Sequence, residues 1–136
     1  WCNAAIAAGA AGLAGIGLWP DFLYPLLWLA PLVLLLGAQQ LSGRPTLLSP
    51  LARGDWTRIV ELALAALICG FFWEMWNYFS LARWTYSIPY VQRFYLFEMP
   101  ILGYGGYLPF GLECLLVGSL VIDDPFRESK PSHRGR

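Results

Sequence analysis

Charge is what this chain has least of. Only 13% of its 136 residues are Asp, Glu, Lys or Arg, about half the share of an ordinary soluble domain, while 57% are apolar and the mean hydropathy is +0.51. A water-facing surface cannot be built from so few charges, so lipid is the expected solvent. The formal net charge is zero and no basic run is present, which excludes tracking of a phosphate backbone and nucleic acid as a partner. Three cysteines and one histidine form neither a C-x-x-C pair nor a Cys/His cluster. Cys69 and Cys114 sit in apolar runs, Cys2 is almost terminal and His133 stands in a charged tail, so neither a metal site nor a cofactor is expected. G-x-S-x-G, H-E-x-x-H and a Walker loop are also missing. The Gly-rich "GYGGYLPFG" has no Lys-Ser/Thr after it and no strand before it, and is no phosphate cradle.

What is present in quantity is long apolar runs. A hydrocarbon core of roughly 30 Å needs about 20 helical residues at 1.5 Å each, and the sequence predicts an all-α integral membrane protein of about four transmembrane helices. Residues 3–19 form a short, Ala/Gly-rich first span, with Ala8/Gly12 and Ala11/Gly15 at the small-xxx-small spacing that admits a close helix partner through residues 4–18. No positive n-region or A-x-A site marks it as a signal peptide. "WPD" at 19–21 predicts a turn with Asp21 capping the next helix, and the second span covers residues 22–41. Residues 42–57 break the pattern with Gly, Pro and Arg and predict an extramembrane loop, in which Asp55 or Thr57 caps a third span over 58–81. The aromatic stretch 82–100 suits a headgroup region, with a short helix expected around 90–97. The last apolar run, 101–122, closes a single bundle domain over 1–122, and residues 123–136 predict a polar, disordered tail. The chain opens on Trp1 rather than Met, which leads us to expect either a fragment lacking upstream helices or a numbering that starts after a removed segment.

Seven of the nine Lys and Arg residues fall in the 42–58 loop region and the tail, against Arg83 and Arg93 elsewhere. The positive-inside rule then places loop and tail in the cytoplasm, with the aromatic segment on the other face, as for a multi-pass protein of a bacterial inner membrane.

Against this apolar background, "GFFWEMWNYFSLARW" (70–84) carries Glu74 and Asn77 within its span, and "FEMPILGYGGYLPFGLEC" (97–114) carries Glu113. Placing a charge at the bilayer centre costs at least about 2.5 kcal/mol, so such groups face partners rather than lipid. Asn77 and Tyr78, at i+3 and i+4, share the face of Glu74 and are its expected hydrogen-bond partners. Glu61, one turn into its span, is expected to snorkel. Four glycines and two prolines in 97–114 argue against a uniform helix. Pro109 is expected either to kink a long span or to start a shorter one. Gly103, Gly105 and Gly106 would allow close backbone approach, and a break at Gly105 and Gly106 would bring Glu113 level with Glu74, under a roof formed by residues 84–100.

The run 71–90 followed by 97–114 resembles a family of uncharacterised bacterial polytopic membrane proteins, which implies the fold without an activity. More remotely, the proline-then-glutamate pattern of "PFGLEC" is similar to the small membrane-embedded lycopene cyclases; those tend to have adjacent acidic residues, where this chain has Leu112 beside Glu113. Three functional classes follow. In a structural or accessory subunit, the polar residues hold helices together. In an enzyme acting on an isoprenoid or other lipid, Glu74 and Glu113 are the acid/base candidates, Asn77 the orienter, and Trp73, Trp76 and Tyr104 the aromatic walls facing a cation. In a transporter or proton conductor, the same carboxylates line a pathway. An enzyme needs an apolar cavity at the carboxylates, a transporter a polar route to water, and a subunit neither.

Overall fold

A computed structural model describes residues 2–43, 46–88 and 90–121. The described chain is mainly helical: α1 (Cys2–Ile16), α2 (Pro20–Leu23), α3 (Leu26–Leu41), a 3-10 turn (Ser49–Arg53), α4 (Thr57–Tyr78), a two-residue hairpin β1 (Tyr95–Leu96) and β2 (Met99–Pro100), a second 3-10 turn (Ile101–Gly106) and α5 (Tyr107–Val121). The all-α expectation holds in its coarse form. Two helical stretches, Thr57–Tyr78 and Ile101–Leu120, are long and apolar enough to cross a membrane; Cys2–Ile16 and Leu26–Leu41 are apolar but shorter, roughly 22 to 24 Å at the α-helical rise. The tail over 123–136 lies outside the described residues.

The expected second span is split because Pro25 has no N–H to return to Asp21. Leu27 and Trp28 bond three residues back instead, to Tyr24 and Pro25, so a tight turn replaces one α-helical turn between α2 and α3. Asp21 is not a cap: α2 starts at Pro20 with Trp19 before it and no side-chain cap bond. Asp55 does serve α4, accepting the Thr57 N–H at 3.0 Å. That side chain's bonds with Thr57 hold the Asp55 carboxyl below the usual carboxylate range. Glu61 pairs with Arg58 at 3.5 Å on the exposed end of α4.

Small residues set the helix spacing. A Cβ on Gly12 would stand 2.7 Å from Leu26, and one on Gly15 2.8 Å from Leu23, while Gly9 faces Ala30 and Leu34 and Gly37 faces Ile6. These contacts run α1 antiparallel to α3, so the small-residue face of the first helix is used within the chain. Gly111 lies on the Leu62 carbonyl and Gly70 under the Tyr107 ring, making α4 and α5 antiparallel neighbours in backbone contact. Trp28 packs on Gly106 and edge-on to Phe110, and Leu32 lies at Glu113, which brings α3 alongside α5 in the same direction.

Residues 101–121 resolve the two expectations for Pro109 in a third way. The run is one continuous helical stretch that changes from 3-10 to α at Tyr107, and Pro109 sits in the first α turn, where a missing N–H costs little. The helix expected over 90–97 is absent. In its place Tyr95 pairs with Pro100 and Leu96 with Met99, around a turn whose first residue, Phe97, has φ +58. Such a backbone conformation costs a non-Gly residue roughly 1–2 kcal/mol. Contacts of the Phe97 ring with Phe71 at 5.4 Å and Tyr78 at 5.8 Å hold it there and pin the hairpin onto α4.

Candidate functional site

Glu74 is completely buried and Asn77 is 2% exposed, on the face of α4 turned toward α5 and the segment that follows α4. Their partners are not each other. Asn77 donates Nδ2–H to the Trp84 carbonyl at 2.9 Å and accepts the Trp84 N–H on Oδ1, also at 2.9 Å. A side-chain amide so placed supplies both bonds that a neighbouring strand would give, and fixes the chain as it turns back over α4. The Trp84 indole packs at 5.7 Å and a tilt of 41° on Trp73 and donates Nε1–H to the Tyr86 hydroxyl at 2.5 Å.

Tyr86 in turn donates its hydroxyl proton to Glu74 Oε1 at 2.7 Å, and Tyr107, from the first turn of α5, donates to the same oxygen at 2.7 Å. One carboxyl oxygen thus collects two phenols from elements 12 and 33 residues away in sequence, while Oε2 is buried with no hydrogen-bond partner among the described residues. Burial pushes the Tyr86 phenol up to about 12, and its bond to Glu74 adds to the rise. Tyr104 is buried beside Tyr107, ring centroids 6.0 Å apart, with its hydroxyl on the Leu96 carbonyl at 3.2 Å. This bond ties the hairpin to the start of the last helical stretch. Tyr78, expected on Glu74, instead lies under Arg83 at 5.9 Å, and Arg83 reaches Glu98 at 3.3 Å.

An apolar cleft of about 790 Å³ lies beside this cluster, between α4 and α5 and bounded by Trp28 of α3. Leu62, Phe110 and Leu115 form much of its wall, Gly70, Gly106 and Gly111 allow the close approach of the surrounding elements, and Tyr86 and Tyr107 are its tyrosines. Among the described residues, no charged side chain lines it. Its volume falls within the roughly 300–1,000 Å³ typical of small-molecule sites.

Of the residues singled out from sequence, the fold brings Glu74, Asn77, Tyr104 and Trp73 to this region, and Trp73 lines the cleft. Trp76 does not; it is 63% exposed, on the outer side of α4 against Phe72. Glu113 faces a different helix: its carboxyl lies against the backbone of Leu32 on α3, just after Pro31, and its Oε1 is buried without a partner among the described residues. It makes no hydrogen bond to Glu74. The residues missed were Tyr86 and Tyr107, hidden among seven tyrosines. The available signal was Gly70, one turn before Glu74, which marks where a ring from another helix can reach the α4 backbone. No family model, curated protein or solved structure matches this chain.

Proposed function

We propose that this is a multi-pass protein of a bacterial inner membrane that binds an isoprenoid or other lipid chain in the α4–α5 cleft, with the ligand's polar end at the Tyr107–Glu74–Tyr86 cluster. The observation that carries this reading is the coincidence of two features: a charge-free cleft large enough for a lipid tail, and, at its wall, a fully buried carboxyl group bridged by two phenols. Holding helices together needs no such cleft, and a polar route to water is poorly served by its wall. Membrane placement is supported by the two long apolar helices and by exposed aromatics near the ends of the helices, such as Trp19, Phe22 and Phe79 at one end and Trp56 at the other, as at lipid–water interfaces. Tyr107 is the member of the cluster that meets the ligand, since it both lines the cleft and bonds the carboxyl oxygen. Asn77 serves as a positioning residue that holds Trp84 and thereby Tyr86.

Mass spectrometry of lipids and pigments that copurify with the full-length protein tests the proposal. The native protein should retain an apolar lipid enriched over the bulk membrane extract, and Ala65→Trp, which fills the cleft from α4, should lose it. Equal lipid profiles in the two preparations would overturn the reading.

A further inference from the structure

The hydrogen-bond accounting at the cleft wall narrows the ligand further. A phenol has one proton to give and lone pairs to offer. Tyr86 and Tyr107 both direct their protons away from any ligand, to Glu74 Oε1. Tyr86 also accepts the Trp84 indole N–H, so its oxygen is engaged on both counts. The Tyr107 oxygen accepts no hydrogen bond among the described residues, although its side chain lines the cleft. Glu74 cannot offer an alternative donor there, being fully enclosed behind the two phenols. What remains for a ligand at this end is an acceptor.

We infer that the cleft selects an alcohol-headed lipid, a long-chain or isoprenoid alcohol whose hydroxyl donates to the Tyr107 oxygen while its chain lies along α4 and α5. The inference rests on the lipid-binding reading above. A ketone, ester or ether head presents only lone pairs to the Tyr107 oxygen and would leave two acceptors facing each other in an apolar site. An alcohol instead extends a directional chain from ligand to Tyr107 to Glu74, each hydroxyl donating to the next oxygen, and such chains strengthen their members in a low-dielectric interior. The Trp28 indole, packed on Gly106 at the α3 side, is the competing polar group of the wall. It can only donate, and would therefore select the opposite class of head.

The test compares hexadecanol, hexadecyl methyl ether and heptadecane binding to the full chain in nanodiscs, by competition with a radiolabelled hexadecanol. Hexadecanol should bind about tenfold more tightly than the other two, the effect of one net hydrogen bond in an apolar site. In Tyr107→Phe the alcohol should fall to the level of the ether, with ether and hydrocarbon binding unchanged, since the ring that packs on Gly70 is retained. Equal binding of all three by the native protein would overturn the inference while leaving an apolar-ligand site intact. Preference for the ether would move the head to the Trp28 indole and also overturn it. Failure of all three to bind would overturn the lipid-binding reading itself.

Discussion

Asn77 does for the Trp84 backbone what a paired strand would do, and its removal leaves two partly buried backbone groups without partners. Asn77→Ala should destabilise the protein by about 2 kcal/mol, at roughly 1 kcal/mol for each net bond, measurable as a lowered unfolding midpoint in detergent. Asn77→Asp keeps the acceptor for the Trp84 N–H but has nothing to donate to the Trp84 carbonyl; it should be destabilised at neutral pH and partly recover once acid protonates the new carboxyl. If Asn77 only filled space, Asn77→Leu, close to it in volume, would be about as stable as the native protein. Tyr86 gives a second titration. Its folded-state value of about 12 stands above the ordinary 10, so folding favours the neutral phenol; that contribution is intact below pH 10 and lost as the pH rises through about 12. Ultraviolet titration should show one fewer late-ionising phenol in Tyr86→Phe than in the native protein. Sequence reasoning found Glu74 and Asn77 because a carboxylate and an amide are rare in an apolar run. It could not find their partners, since a tyrosine that bonds a carboxylate has the same local signature as one that anchors in an interface.

At the scale of elements, glycine positions separate those that hold the site from those that do not. Gly70 lies under the Tyr107 ring, with a Cβ there meeting ring atoms at about 2.6 Å, whereas a Cβ on Gly118 meets nothing within 4 Å. Gly70→Ala should cost roughly 1–3 kcal/mol through overpacking and, by pushing Tyr107 off Glu74, also reduce retention of copurifying lipid. Gly118→Ala should be neutral or stabilising by up to about 1 kcal/mol, the helix-propensity difference. Thermal unfolding of the two variants side by side checks this; equal effects would mean that the α4–α5 contact is not close. The helical elements were largely legible from the length of the apolar runs. Their interruptions were less so: Pro25 divides a stretch that composition alone reads as one span, and the 90–97 region forms a hairpin where a helix was expected. There the deciding term is non-local, the packing of Phe97 on Phe71 and Tyr78, which holds a φ of +58 that no sequence pattern announces.

For the whole molecule, the contacts fix relative directions that bear on the membrane. α1 runs antiparallel to α3 through Gly12 with Leu26 and Gly37 with Ile6, α4 runs antiparallel to α5 through Gly70 with Tyr107 and Gly111 with Leu62, and α3 is parallel to α5 through Trp28 with Gly106. The N-terminal end of α1, the loop after α3 and the C-terminal end of α5 therefore lie at one end of the bundle. The 84–100 segment, joined to α2 by Phe22 and Tyr90 at 5.8 Å, lies at the other. Among the described residues, this puts Arg53 and Arg58 at one end and Arg83 and Arg93 at the other, and the proposed membrane orientation would set the first end in the cytoplasm. In a background with Cys2, Cys69 and Cys114 replaced by Ala, Ser49→Cys should react with a membrane-impermeant maleimide only when the cytoplasmic face is opened. Ser87→Cys, just beyond Tyr86, should react from the outside in intact cells. Labelling of both from the same side would contradict the orientation and, with it, the number of crossings between residues 49 and 87. Labelling of Ser87→Cys should also slow when the cleft is loaded with hexadecanol, because Tyr86 joins this loop to the ligand-facing cluster.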